Sequence, residues 1–235
     1  MAYAFVKQCD DSKWFGKRLH VNFFKKKTCT FDCVYCGDGP TNTKVVQRVH
    51  LFPASRVFEE ISDHIEKNGE PDYVWYSCMG EPTLCLALGD LNKMIKENFP
   101  KVKIGSWTNG TLLYRKDVRE ELSTCDFVIA DLDSVNDNDF YMINQPHEKI
   151  KLELILASLK QFREEYKGKL WIHSVIIKGY NDSPESIDAL IEYLKEVKPT
   201  SYYVSLPNRF GPLAENFKET LEEKLAKASI KVVFD

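Results

Sequence analysis

Short runs of β-branched and aromatic residues alternate with longer amphipathic segments along most of this chain, and few folds satisfy that alternation. The short runs are Leu19–Asn22, Tyr73–Cys78, Lys103–Trp107, Phe127–Asp131, Leu170–Ile176, Tyr202–Leu206 and Lys231–Phe234. Their length and composition suit strands buried on both faces. Between them, Ala54–Lys67, Leu88–Phe99, Leu152–Tyr166, Pro184–Val197 and Glu215–Ala228 carry helical periodicity. In the third of these, Leu152, Ile155, Leu156, Leu159 and Phe162 fall on one stripe. Regular β–α alternation predicts a parallel sheet with helical crossovers, either doubly wound or wrapped into a full or partial barrel. In either form the chemistry belongs at the C-terminal ends of the strands.

No repeat, low-complexity stretch or Gly/Ser linker interrupts the pattern, so residues 1–235 read as one domain with its core at about 19–212. With 43% hydrophobic and 29% charged residues, the composition is that of a globular protein rather than a disordered one. The first residues lack a basic stretch followed by an apolar one, and no run is long and apolar enough to span a bilayer. The expectation is a cytoplasmic protein without membrane contact. Within the net charge of −3, residues 1–27 concentrate seven basic side chains against Asp10 and Asp11. That bias reads as a solvated surface, with an anion-attracting patch as its functional counterpart.

Three of the seven cysteines, Cys29, Cys33 and Cys36, crowd into a C-x3-C-x2-C loop after the first predicted strand. An odd cysteine count argues against a disulfide framework. Thiolates suit zinc or an iron–sulfur cluster, and both normally take four protein ligands in structural or electron-transfer sites. Three local cysteines would leave one iron of a cluster open for an external ligand. The alternatives are a zinc knuckle completed by His20 or His50, and a ferredoxin-like cluster completed by Cys9, Cys78 or Cys85. The cysteines outside the loop read as small buried hydrophobes.

With Tyr35 just before its last cysteine, the loop resembles the signature of the radical S-adenosylmethionine (SAM) superfamily. Further segments follow in the same order. Met79-Gly80-Glu81-Pro82-Thr83 is similar to the family's GEP segment, and Trp107-Thr108-Asn109-Gly110 to its TNG segment. Asp131-Leu132-Asp133-Ser134 is similar to a polar stretch closing the next strand. Asn144–His147, Lys178–Asp182 and Asn208-Arg209 resemble the Fe–S oxidoreductase branch that includes the tRNA wyosine synthases.

The resemblance implies a partial (β/α)6 TIM-like barrel. It further implies a 4Fe-4S cluster on Cys29, Cys33 and Cys36, with SAM held by Tyr35, Gly80, Glu81, Pro82, Thr83, Asn109, Asp131, Asp133 and Ser134. The implied activity is reductive cleavage of SAM to a deoxyadenosyl radical that takes hydrogen from a substrate. A reductant such as flavodoxin or ferredoxin is the implied partner, and the substrate a small molecule or modified nucleoside. Activation of a glycyl-radical enzyme and wyosine-like tRNA modification are the alternatives. Upstream of Cys29 only Cys9 is present, so the second cluster of archaeal wyosine synthases has no ligand set here. His173 reads as a hydrogen-bonded core histidine, and Glu81 as a residue that fixes its own loop through a salt bridge.

Overall fold

A computed structural model describes residues 3–77 and 79–234, and Cys78 lies outside the described residues. Seven parallel strands run in chain order: β2 (Gly16–Val21), β3 (Tyr73–Tyr76), β4 (Lys103–Thr108), β5 (Phe127–Asp131), β6 (Lys169–Val175), β7 (Ser201–Ser205) and β8 (Val232–Phe234). An eighth strand, β1 (Val6–Ser12), pairs antiparallel with β2. The two edge strands, β1 and β8, do not pair with each other, so the sheet is an open, partial barrel.

Helices cover the outer face. They are α1 (Ala54–Asn68), α2 (Leu88–Asn98), α3 (Lys116–Leu122), α4 (Asp137–Asn144), α5 (Leu152–Glu165), α6 (Pro184–Val197) and α7 (Phe217–Lys227). Each buries one stripe. In α1 the buried residues are Ala54, Val57, Ile61 and Ile65, and Gly69 closes the helix. In α6 the Ser183 hydroxyl accepts from the Ser186 N–H, and Pro184 occupies the first turn, where no N–H is needed. The predicted strands and five helices are present, with ends that coincide or are shifted by at most three residues. The hairpin partner β1 and the short helices α3 and α4 are additions.

Strand alternation divides the buried residues into two layers. Leu19, Val74, Ile104, Val128 and Ile172 face the helices in the main core. Trp75, Phe127, Ile129 and Trp171 face the barrel interior. Trp75 can fill that space because Gly105 lies opposite, where a Cβ would stand 2.2 Å from the indole. Phe15, in the β1–β2 turn, closes the N-terminal end of the barrel. Its ring sits 4.6 Å from Phe127, 4.8 Å from Trp75 and 5.5 Å from Trp171, centroid to centroid. The basic residues near the start divide accordingly. Arg18 ion-pairs with Asp10 and lies over Phe15 and Trp75, Lys25 and Lys26 are exposed, and Lys27 faces the cavity described next.

Candidate active site

The segment after β2 crosses the C-terminal ends of the strands and is stitched down on several sides. Thr28 N–H donates to the Met79 carbonyl at 3.0 Å, and Glu81 N–H returns to the Thr28 carbonyl at 2.9 Å. The backbones approach so closely that a Cβ on Gly80 would lie 1.8 Å from the Thr28 oxygen. At φ 127° this position also favours glycine conformationally. Asp32 and Val34 N–H groups donate to the carbonyls of Asn144 and Ile143, and His147 N–H donates to that of Thr30. The loop's course is fixed by α4 and by the turns after β3 and β4.

Cys29, Cys33 and Cys36 thus line one cavity of about 350 Å³. Tyr35, Gly80, Glu81, Asn109 and Asp131 line the same cavity, so eight of the twelve residues named from sequence converge there. The other four do not reach it. Pro82 and Thr83 are buried under the turn, and the Thr83 N–H and hydroxyl donate to Glu81. Ser134 caps its own loop, where its hydroxyl accepts from the Asn136 N–H. Asp133 lies behind the cavity wall and accepts from the Tyr35 hydroxyl at 2.7 Å, the Asn144 amide at 2.6 Å and the Val175 N–H at 2.8 Å. Burial and the charge of Asp131 push the Asp133 carboxyl up to about 6.

Glu81 is fully buried without a cation. It accepts from Thr83, from the Thr108 hydroxyl at 2.7 Å and from the Asn109 N–H at 2.7 Å. This corrects the expected salt bridge, since neutral donors from two loops hold the carboxylate. Burial pushes it up, and those same hydrogen bonds pull it back.

The donor set fits a cluster. The side-chain amides of Asn109 and Asn144 point at the Cys29 and Cys33 sulfurs from 3.5 and 3.4 Å. Such donors tune thiolate-bound iron. Burial pushes the Cys29 thiol up to about 12 and Cys33 well above its ordinary value, a cost that metal ligation removes. Among the described residues, no three His, Cys, Asp or Glu side chains converge on a single ion. Of the two histidines weighed for a zinc knuckle, neither His20 nor His50 lines the cavity, and His20 is engaged by Ser77 and Asp10. Cys85 and Cys125 are buried in the core, and neither they nor Cys9 line the cavity.

Beyond the cysteines, Trp107 and His173 line the cavity, and neither was named as a site residue from sequence. The indole N–H of Trp107 donates to Asp131 Oδ1 at 2.7 Å, and His173 Nδ1 lies 2.7 Å from the same oxygen. A carboxylate can only accept, so Nδ1 carries a proton, and Nε2 lies 2.9 Å from the Ser205 hydroxyl oxygen. Strand parity is the signal that finds them. Gly105 and Trp107, Ile129 and Asp131, and Trp171 and His173 alternate onto the interior face.

The pattern of the family described as the Radical SAM superfamily matches residues 26–194. A UPF0026 protein of Methanocaldococcus jannaschii is 34% identical over 200 residues, covering 84% of this chain and 62% of that protein. The chain thus spans less than two thirds of that relative's length. Among solved structures, a radical SAM methyltransferase from Sphaerobacter thermophilus superposes with a TM-score of 0.66 at 16% identity. The match covers 93% of this chain and 66% of that one. Native anSMEcpe with bound AdoMet gives a TM-score of 0.62 at 16% identity, covering 89% of this chain and 61% of that one. At such identities the two structures speak for the fold. No described helix is long and apolar enough to cross a membrane. With the family pattern spanning the cysteine loop, the GEP turn, the turn that carries Asn109 and the strands that carry Asp131 and His173, the chain belongs to the Radical SAM superfamily, whose members bind a 4Fe-4S cluster and SAM.

Proposed function

We propose that Cys29, Cys33 and Cys36 hold a 4Fe-4S cluster, and that the chain uses it to cleave SAM beside a small polar molecule or modified nucleoside. The observation that carries this reading is the convergence of the three thiols with Gly80, Asn109 and Asp131 on one cavity. When bound, the cluster and SAM supply reductive carbon–sulfur cleavage and a deoxyadenosyl radical that abstracts hydrogen.

The chain's own residues supply position. Gly80 faces the cavity and its carbonyl is not used in the bridge to Thr28, so it serves as an acceptor for the amino group of SAM. Pro82 and Thr83 shape that turn, and Glu81 ties it to the Thr108–Asn109 turn. Tyr35 and Asp133 brace the cysteine loop from behind, and Ser134 fixes the loop before α4. Asp131, held by Trp107 and His173, presents its carboxylate to the ligands. The aromatic closure around Phe15 keeps water out of the barrel from below.

Anaerobic reconstitution is expected to load about four irons per chain. Dithionite should then release deoxyadenosine from SAM, and Cys→Ala changes at positions 29, 33 or 36 should abolish the release. Product formation by the triple variant would end this reading. Acceleration of cleavage by individual nucleosides or small acids would identify the substrate class. Acceleration by tRNA alone would instead support the wyosine-like alternative.

A further inference from the structure

Lys25, Lys26 and Lys27 are neighbours in sequence, yet only the third is drawn out of solvent. Lys25 and Lys26 are exposed, whereas the Lys27 side chain is 7% exposed. An ammonium is costly to bury unless negative or strongly polar groups meet it. The groups that meet this one belong to the cysteine loop. Nζ donates to the Gly39 carbonyl, and the Gly39 N–H donates to the Cys36 carbonyl at 3.4 Å. The charge is thereby held against the turn that follows the last cysteine. Asp32 Oδ1 stands 3.7 Å away and already accepts from the Thr41 N–H at 2.6 Å. Burial works against the charge, while a hydrogen bond to the Cys36 sulfur, attraction to that sulfur and attraction to Asp32 hold it above the ordinary lysine value.

Among the residues lining the cysteine cavity, Lys27 is the single lysine or arginine. The Glu81 and Asp131 carboxylates on the same lining take their hydrogen bonds elsewhere, from Thr83, Thr108 and Asn109 and from Trp107 and His173. Each of the three cysteines thus has a donor of its own: the Asn109 amide for Cys29, the Asn144 amide for Cys33 and the Lys27 ammonium for Cys36. Two of these donors are neutral dipoles and one is a full charge. One carbonyl and one carboxylate beyond hydrogen-bond reach compensate a buried cation poorly. Thiolates at positions 29, 33 and 36 would complete the balance.

We propose that Lys27 is the built-in counter-cation of the cysteine-held site, a positioning residue whose ammonium stabilises the reduced state and so sets how readily the site accepts an electron. In reduction by dithionite the reagent is oxidised, the site gains one negative charge, and no bond or proton moves. A fixed positive charge at the Cys36 corner favours that product over the oxidised state by Coulomb attraction. The carboxylate of SAM is a rival claimant on the ammonium, but the Gly39 carbonyl and the Cys36 sulfur direct it into the loop. The inference rests on the reading that Cys29, Cys33 and Cys36 hold a reducible cluster.

The test reads the reduction midpoint of reconstituted protein without SAM, in a dithionite titration followed by electron paramagnetic resonance. Lys27→Met should lower the equilibrium constant for reduction about tenfold, or ~59 mV for a one-electron couple. Lys27→Arg keeps the charge and should retain most of the wild-type midpoint. Asp32→Asn removes the nearest opposing charge and should move the midpoint upward. Equal midpoints in wild type and Lys27→Met would overturn the proposal. So would a Lys27→Met variant whose only change is weaker SAM binding, which would make the ammonium a SAM contact. A purely structural pin would cost iron content while leaving the midpoint of the remaining cluster unmoved, and that result also sinks the idea. If Lys27→Met takes up no iron, Lys27→Arg must restore both iron and midpoint, and Asp32→Asn must still raise the midpoint; failure of either overturns the proposal. A wild type that takes up no iron is a separate outcome, which ends the cluster reading and this inference with it.

Discussion

Gly80 makes the sharpest demand of any single residue. Its backbone lies against Thr28 with no room for a side chain, at a φ that L-residues avoid. Gly80→Ala should therefore cost about 2 kcal/mol or more in denaturant unfolding. It should also loosen the cysteine loop enough to lower iron loading. A variant of wild-type stability and loading would mean that the two loops are not coupled as described. At Cys29 the prediction concerns pH. Burial holds the thiol protonated up to about 12, whereas ligation needs the thiolate, so loading releases a proton and must be favoured by rising pH. The initial rate of cluster assembly should climb between about pH 7 and 9, with Cys29 as one contributor. A flat profile would show that the empty site already holds a thiolate there. At this scale the sequence was most informative, because a thiol ligand or an obligate glycine is a chemical requirement that few substitutes meet. Asp133 and Ser134 show the limit. Adjacent polar residues after a strand alternate or curl away, and only Asp131 reaches the cavity.

Among the elements, the β1–β2 hairpin has the largest unanticipated role. Its first strand was not legible because Val6–Ser12 has few apolar residues, and a register shift between Val6 and Cys9 breaks the alternation. The short helices α3 and α4 were hidden for a related reason. Each buries too few apolar residues to establish a helical stripe, Val118 and Leu122 in the first and Phe140 and Ile143 in the second. The longer helices were legible because their stripes run for three or more turns. Phe15 gives the hairpin its function, as a plug among Trp75, Phe127 and Trp171. Phe15→Ala should lower stability by about 2–3 kcal/mol, less than for a fully buried ring, as read by urea unfolding monitored through tryptophan fluorescence. The opened floor should also admit quencher to the interior indoles. Unchanged acrylamide quenching would argue against the seal.

For the whole molecule, the seven parallel strands followed from the β–α alternation, as did the side of the sheet that carries the chemistry, whereas the antiparallel β1 did not. The Asp131–His173–Ser205 relay did not, because a histidine in a strand looks the same in sequence whether its strand faces helices or interior. Parity relative to Asp131 resolves that choice only once the register of β5 against β6, which pairs Asp131 with His173, is known. The strand order has a further consequence. Every strand pairs with its neighbours in sequence, from β1 to β8 without exception. A chain leaving the ribosome can therefore lay down its sheet one strand at a time, each unit docking on an edge already present. The cysteine loop emerges early, while Asn109 and Asn144, the amides aimed at its sulfurs, are synthesised long after it. On the reading that the three thiols are cluster ligands, the site around them is complete only once the turn after β4 and α4 have been made. A cluster would then meet its full set of sulfur-directed amides only after Asn144, when more than half of the 235 residues have been made.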